Sequence, residues 1–278
     1  MKRSRRASVR AWGLSLLALA LGCFVLFPLF YGVMGAFKSP AEFVAYPPTV
    51  LPNSFGYLKN FETVFTQAPM LRYFWNSLVV AVGSTLVRLA LAVLAAYAFV
   101  FFQFPGKKAL FFLLLGTMML PADTLTITNY QTVSHLGLLD TYLGIGIVSF
   151  VGASQMFMLR QHFLSSPRPI REAAQMDGCG DMRFLLRILI PMSLPLLLTL
   201  FLQSFVAQWN AYLWPLLVTN KNEMRTVQIG ITMLTTLEGT NYETVLAGAA
   251  VAVAPAVVLF LLLRRSITRT MSGGALVG

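Results

Sequence analysis

The chain has 278 residues, of which 57% are hydrophobic and only 11% are charged, and its formal net charge is +11. About one quarter of the residues in soluble globular domains are charged, so this composition excludes an ordinary soluble protein and places the chain in a lipid bilayer. Its only two cysteines, Cys23 and Cys179, argue against a disulfide framework and against a CxxC metal site.

The chain begins with a basic tail, residues 1–10, and continues into an apolar run at residues 11–37. A spanning helix needs about 20 apolar residues, and this run is also longer than the core of a usual signal peptide. We therefore predict a retained first span. Residues 38–72 follow as a proline-bearing external loop, in which Phe61–Phe65 is expected to form a short interfacial helix.

The second predicted span, residues 73–104, contains one charged residue, Arg88. An arginine facing lipid at the centre of a helix would cost about 2.5–3.5 kcal/mol, so Arg88 is expected to face protein or water. The third span, residues 108–131, contains Pro121 and Asp123, and its helix can continue past the proline if the polar side chains there face a polar interior. The sequence leaves open whether Arg88 pairs with Asp123, has a structural role or binds an anionic solute.

The remaining predicted elements alternate between apolar and polar segments. They are a fourth span at 141–164, a cytoplasmic loop at 165–187, a fifth span at 188–219, an external loop at 220–243, a sixth span at 244–263 and a tail at 264–278. Six spans put both termini on one side of the membrane. Of the 21 Lys and Arg residues, fifteen lie on that side, five lie on the other and Arg88 is within a span, so both termini are predicted to be cytoplasmic. This topology explains the basic charge without a nucleic-acid partner.

The charged loop has the pattern of a helical hairpin. Glu172 and the alanines after it favour a helix, Gly178 can end that helix, and Asp181 is expected to cap a second short one. Glu-Ala-Ala at 172–174, Gly178, Ile188 and Pro191 have the spacing of the EAA loop of ABC-importer permeases, which this segment resembles. One difference is Ile190, which stands where the family pattern has leucine.

The resemblance implies that the loop sits in a groove of a separate cytoplasmic ATPase and carries its motion into the membrane. The residues expected to dock are Arg171, Glu172, Ala173, Ala174, Asp177, Gly178, Met182 and Phe184. Within this set, Met182 and Phe184 are expected to be apolar anchors in the groove.

Other segments resemble the maltose-type carbohydrate permeases and, among them, the glycerol-phosphate permeases. They include Asn76-Ser77, residues 95–99, residues 104–106, residues 119–121, residues 136–141 and residues 209–215. The resemblance implies an all-α fold of six transmembrane helices, the type I ABC-importer permease fold, in a bacterial inner membrane. The implied partners are a second permease subunit, with family precedent for a different chain, a dimer of ATPases and an extracytoplasmic solute-binding protein. ATP and Mg would be bound by the ATPases, and no cofactor of the chain's own is expected.

Amides and aromatic rings in the third and fifth spans suit a hydroxylated solute, because amides pair with hydroxyls and rings stack on sugar faces. The residues predicted to line the path are Asn129, Tyr130, Gln203, Gln208, Trp209, Asn210, Tyr212 and Trp214. The alternative is that the aromatic residues form an interfacial belt while the amides bond neighbouring helices.

The sequence contains no plausible catalytic or metal centre, since His135 and His162 fall on opposite faces of the membrane in this topology. It also lacks a GxxxxGK[ST] run, so the chain is not expected to bind ATP itself. A membrane-embedded hydrolase is therefore disfavoured. A secondary transporter of a polar solute without an ATPase partner remains the alternative to an importer subunit.

Overall fold

The computed structural model describes residues 2–235 and 241–273, and it describes the side chains of residues 12–121, 124–235 and 241–264. The predicted tail is described only as far as residue 273, and its side chains beyond residue 264, like the side chain of Asp123, lie outside the described part. Within the described part, the chain is helical and has no β-strand. The α-helices are α1 Lys2–Gly35, α2 Pro40–Phe43, α3 Lys59–Gln67, α4 Met70–Phe101, α5 Lys107–Thr117, α6 Thr126–His135, α7 Tyr142–Gly146, α8 Ala153–Leu164, α9 Arg168–Met176, α10 Asp181–Phe184, α11 Ile190–Met192, α12 Leu194–Trp209, α13 Leu213–Val218, α14 Val227–Met233 and α15 Tyr242–Gly273.

The helices long and apolar enough to cross a membrane are Trp12–Gly35, Met70–Phe101 and Tyr242–Arg264. Two bent helix pairs, Tyr142–Ser149 with Ala153–Leu164 and Asp181–Met192 with Leu194–Trp209, pass the same test when each is taken as one span. In the described residues, length and composition therefore support three to five spans. The predicted number of six stays a prediction.

The predicted third span, residues 108–131, is interrupted. The helix α5 ends at Thr117, a turn and a short 3-10 helix at Ala122–Leu125 follow, and α6 begins only at Thr126. Pro121 cannot donate a backbone hydrogen bond, and it disfavours helical backbone at the residue before it. The sequence allowed a continuous helix past this proline, but the helix is interrupted there.

The predicted fifth span, residues 188–219, is not one helix either. The segment Asp181–Met192 meets α12 at an angle of 78°. Two prolines, Pro191 and Pro195, remove backbone donors on either side of the bend, and a π-helix at Leu185–Leu189 widens the turn before it. Ser193, which is fully buried, lies at the corner. Past Trp209 the chain turns again before α13.

The chain divides into two compact units, of which the first combines residues 1–70 with 230–253. The loop predicted to be external is held by Asn60, whose buried side-chain amide donates to the carbonyls of Ala36 and Lys38, at 2.8 Å each. The short helix predicted near Phe61 is present as α3. Close packing of α1 against α15 occurs at Gly35, where an added Cβ would lie 2.6 Å from a methyl group of Leu246.

The second unit comprises residues 71–229 and 254–278. Its main hydrophobic core joins the second half of α4 to α8, to the helical hairpin α9–α10 and to the start of α12. The core residues include Ala96, Tyr97, Leu159, Phe163, Ala174, Phe184, Leu185, Leu189 and Leu200. Because α9 and α10 contribute to this core, the hairpin is packed onto the membrane helices rather than suspended from them.

Candidate functional site

The segment Arg168–Phe184, called the docking loop below after the role predicted for it, folds as the predicted pair of short helices. Helix α9 begins after Pro167 and ends in a glycine cap: Gly178 has a φ of +72°, its N–H donates to the carbonyl of Gln175, and the N–H of Cys179 donates to that of Ala174. These two bonds satisfy carbonyls that the helix end would otherwise leave unpaired. Glycine is required here because residues with a Cβ rarely adopt positive φ.

The docking loop is attached to α4 through Asp181. The hydroxyl of Tyr97 lies 3.1 Å from Oδ1 of Asp181 and 3.2 Å from its carbonyl oxygen. Arg171 places a guanidinium nitrogen 3.5 Å from the same carboxylate and stacks 4.6 Å above the ring of Phe101. The predicted capping role of Asp181 is wrong, because Gly180 is the N-cap of α10 and the carboxylate is used for these contacts instead.

The predicted docking residues differ in exposure. Ala174 and Phe184 are buried within the chain's own core, and Phe184 packs edge-on against Phe101 at a centroid distance of 5.9 Å. The prediction that Phe184 is an outward-facing anchor is therefore wrong. Met182 is 59% exposed and Met176, which the sequence analysis did not select, is 89% exposed. The other exposed members of the predicted set are Glu172, Ala173, Asp177 and Gly178, and Arg171 is half-buried.

Two of the aromatic residues predicted to line a solute path contact other helices of the chain instead. Trp209 is only 2% exposed, since it packs between the rings of Phe74 and Phe205. Trp214 donates its indole N–H towards the carbonyls of Gly144 and Ile145, at 3.3 and 3.1 Å. The side chain of Trp209 is therefore buried and does not line a path, so that prediction is wrong. Trp214 holds α13 against α7.

The other predicted path residues remain accessible to different degrees. Gln203 and Asn210 are exposed and lie seven residues apart, which puts them on one face of α12. The side-chain oxygen of Asn210 accepts a hydrogen bond from Gln228 at 3.4 Å, and Tyr212 is 41% exposed. The half-buried members of the set are Asn129, Tyr130 and Gln208. Two amide groups, those of Gln203 and Asn210, therefore lie on one exposed face at α12.

A polar cluster surrounds the break in the helix pair Tyr142–Ser149 and Ala153–Leu164, which bends by 50°. Arg88 donates from its Nε to the carbonyl of Ser149 at 2.5 Å. On the other side of the break, the buried Gln155 donates to the hydroxyl of Ser204 at 3.3 Å. Arg88 therefore faces protein, as predicted, and it satisfies a carbonyl at the point where helical hydrogen bonding stops.

A second set of polar contacts fixes the segment between α13 and α14. The fully buried Asn76 donates to the carbonyls of Glu223 and Arg225, at 2.7 and 2.9 Å, and accepts from the hydroxyl of Tyr142 at 2.8 Å. Asp140, which has a φ of +56°, accepts from the N–H groups of Asn220 and Lys221, at 2.6 and 2.8 Å. The predicted external loop 220–243 is thus tied at its start to α4 and to the residues just before α7.

Among the described side chains, no three His, Cys, Asp or Glu residues come together where they could hold a metal ion. The geometry instead offers a partly exposed helical hairpin, a bent helix leading from it, and a face of amide groups along that helix. These are features suited to binding a partner and a polar solute.

Comparison with known proteins agrees with this description. A family model described as "Binding-protein-dependent transport system inner membrane component" matches residues 1–272. The chain is 33% identical over 253 residues to the sn-glycerol-3-phosphate transport system permease protein UgpE of Escherichia coli O1:K1 / APEC, which covers 88% of this chain and 90% of the relative. It is 32% identical over 250 residues to the protein of the same name from Rhizobium meliloti, with 87% and 88% covered.

Solved structures show the same fold. A chain of a bacterial ABC transporter involved in the import of the acidic polysaccharide alginate superposes with a TM-score of 0.80 at 22% identity, covering 93% of this chain and 97% of that one. A second structure, of a bacterial alginate ABC transporter in complex with alginate pentasaccharide-bound periplasmic protein, superposes with a TM-score of 0.65 at 17% identity, covering 95% and 97%.

Proposed function

This chain belongs to the family of binding-protein-dependent transport system inner membrane components, and from this premise we propose that it forms half of the translocation path of an ATP-driven importer and takes its energy from a separate ATPase. It is a multi-pass inner-membrane transport component and not an enzyme. The proposal concerns how the chain is coupled to its energy source, on which side its termini lie and which solute it carries.

The observation that carries the proposal is the construction of the docking loop. Its exposed side, with Glu172, Met176 and Met182, is available to a groove on another protein. Its inner side is joined to α4 by the contact of Asp181 with Tyr97 and by the stacking of Arg171 on Phe101. The same segment continues through the 78° bend into α12. A displacement of the loop by a partner would therefore act on two membrane helices at once.

The orientation follows from charge. The loop lies on the side of the membrane that holds fifteen of the 21 Lys and Arg residues, and short loops rich in these residues stay in the cytoplasm. Both termini and the docking loop are then cytoplasmic, where an ATPase dimer has its ATP and Mg. The loop at 220–243 then faces outward, towards an extracytoplasmic solute-binding protein.

A second permease subunit completes the path in this proposal. The side chains of residues 12–30 in α1 are all exposed, so this part of the helix is available to lipid or to another membrane helix. A path lined by one chain alone would leave the amide face of α12 in contact with lipid, which is unfavourable for groups that hydrogen-bond. Family precedent favours a partner of different sequence.

The proposed solute is a carbohydrate or a glycerol-phosphate compound. The relatives in Escherichia coli and Rhizobium meliloti are named as sn-glycerol-3-phosphate permeases, and the amide-bearing face of α12 suits a hydroxylated molecule. The residues proposed to line the path are Asn129, Tyr130, Gln203, Gln208, Asn210 and Tyr212.

The test is the ATPase activity of the complex formed when the chain is co-expressed with its candidate ATPase, second permease and solute-binding protein. Stimulation by one loaded binding protein is expected for the unmodified chain. We expect Gly178→Asp to leave the complex assembled in the membrane but to reduce that stimulation strongly, because a side chain strains the positive φ at this position and adds a charge to the exposed surface of the loop.

A pair of alanine variants isolates the effect of backbone conformation. An added Cβ meets nothing within 4 Å at either Gly178 or Gly180, but only Gly178 has positive φ. Gly178→Ala is expected to reduce stimulation, whereas Gly180→Ala is expected to leave it unchanged. Failure of the chain to associate with any ATPase, or equal stimulation in wild type and Gly178→Asp, would reject the proposed coupling.

A further inference from the structure

A groove with a volume of about 950 Å³ opens in the second unit between the end of α4, the start of α5 and helix α8. It is separate from the docking loop and from the amide face of α12. Three of the side chains that line it are cationic, Lys107, Lys108 and Arg160, and no carboxylate lines it. The transport mechanism proposed above makes no use of these cations.

The cations of the groove have no anionic partner in the described part of the chain. Lys107 donates to the backbone carbonyl of Phe102 at 2.8 Å, and Lys108 is exposed. Arg160 stacks 4.2 Å from the centre of the Phe111 ring, and its buried Nε atom has no hydrogen-bond partner among the described residues. A buried donor without a partner is costly, so the site favours a ligand that supplies oxygen acceptors and negative charge.

The backbone adds to the positive potential. Gly106, with a φ of +73°, precedes helix α5, and the first turn of this 11-residue helix lines the groove. The N–H groups in the first turn of a helix have no partner within the helix and carry the positive end of its dipole. A phosphate or a carboxylate beside Lys107 and Lys108 would therefore also face these groups.

The walls of the groove indicate where the anion comes from. Phe104, Phe111 and Phe112 line it beside the cations, and Phe112 is 68% exposed. Leu113, directly after Phe112 in α5, is 64% exposed and has the character of a lipid-facing side chain. A small soluble anion would make no favourable contacts with apolar walls that continue into the bilayer, whereas the acyl chains of a lipid would cover these walls.

We propose that this groove is a binding site for an anionic phospholipid, with the phosphate group held by Lys107, Lys108 and Arg160 and an acyl chain lying along the exposed face of α5. The basic residues sit where an amphipathic lipid reaches from a charged headgroup into hydrocarbon. Basic pockets between transmembrane helices bind anionic headgroups in this way.

The experiment measures how the purified full-length chain retains phosphatidylglycerol against phosphatidylcholine, counted by native mass spectrometry from mixed detergent–lipid micelles. The wild type is expected to retain phosphatidylglycerol selectively. Each lysine near an anionic lipid contributes about a fivefold preference, so Lys107→Gln with Lys108→Gln should reduce selectivity by roughly 25-fold. Adding Arg160→Gln to this double variant should reduce the selectivity for phosphatidylglycerol further. Arg160→Lys should retain part of the selectivity that Arg160 contributes.

The matched control removes the same number of lysines elsewhere. Lys59 and Lys221 are exposed and lie in the two predicted external loops, so Lys59→Gln with Lys221→Gln should keep the selectivity of the wild type. Size-exclusion profiles of the variants verify that they are folded. Unchanged selectivity in the Lys107/Lys108 variant, or an equal loss in the control, would overturn the proposal.

A competition experiment separates a lipid from a soluble phosphate. Millimolar sn-glycerol-3-phosphate or inorganic phosphate is added to the wild-type chain with bound phosphatidylglycerol. Retention of the lipid supports the lipid site, whereas its displacement would assign the cations to a soluble phosphate and overturn the lipid assignment. No ATPase or binding protein takes part in the measurement, so its outcome is independent of the proposed importer function.

Discussion

Arg88 illustrates what single residues contribute to this membrane protein. The sequence predicted that its charge faces protein or water, because an arginine within an apolar span is expensive in lipid. It did not predict the partner, since the carbonyl of Ser149 is 61 residues away and becomes free only because the helix breaks there. The charge-free run at 141–159 gives no sign of that break.

The contact between Arg88 and Ser149 predicts that removing the arginine lowers the stability of the protein. Arg88→Met keeps the long side chain but removes the donor to Ser149, and losing a hydrogen bond from a charged group costs about 1.5–3 kcal/mol of the free energy of unfolding. We expect a lower thermal unfolding midpoint in detergent. In Arg72→Met the lost bond, from Nε to the carbonyl of Glu223, is 3.3 Å long and exposed, so that midpoint should barely move. A higher unfolding midpoint for Arg88→Met would contradict this prediction and would show that the charge of Arg88 destabilises the fold.

At the scale of helices, the docking loop was predictable and the bends of the membrane segments were not. The helix favoured by Glu172 and the alanines, and its end at Gly178, follow from local preferences, and the structure has both. The corner at Ser193 depends on how Pro191, Pro195 and a π-helix act together, which hydropathy does not register. The burial of Trp209 against Phe74 is likewise a tertiary contact that composition cannot distinguish from a path lining.

The attachment of the docking loop to α4 gives an element-scale prediction. Tyr97→Phe removes the hydroxyl that lies 3.1 Å from the Asp181 carboxylate while keeping the ring against Phe101. We expect faster backbone hydrogen exchange at residues 168–184, because the loop then loses its hydrogen bond to α4 and is held there by apolar packing and by the stacking of Arg171 on Phe101. The half-exposed Arg171–Asp181 pair lies within the loop, and exposed ion pairs contribute little. The control Tyr46→Phe, at a side chain that is 95% exposed, should leave the exchange of this segment unchanged. Equal exchange in wild type and Tyr97→Phe would show that the hydroxyl does not restrain the loop.

At the scale of the whole molecule, composition and charge were sufficient to identify a helical membrane protein, and the family match agrees with that identification. The number of crossings is less accessible to sequence reasoning. Apolar length alone cannot distinguish a straight span from the interrupted segment between Lys107 and His135, where Pro121 and the polar residues after it separate two helices.

The proposed topology predicts a pattern of chemical labelling. In a Cys23→Ser background, Cys179 is the only cysteine and lies in the docking loop. A membrane-impermeant maleimide added to intact cells should leave Cys179 unlabelled and should label it after the cells are opened. A cysteine placed at Lys221, in a Cys23→Ser/Cys179→Ser background, should react in intact cells. The reverse pattern would place the docking loop outside and contradict the positive-inside assignment.

The corner at Ser193 has a geometric consequence for transport. The 16 residues of α12 make a rod about 24 Å long that is anchored at one end to the docking loop. A tilt of about 10° at the corner would sweep the Trp209 end sideways by about 4 Å, on the order of one side chain. A small push received at the loop would thus produce a larger displacement with increasing distance from the corner. Asn210, directly after the end of the rod, would travel most, and Gln203, a little past its middle, would travel less.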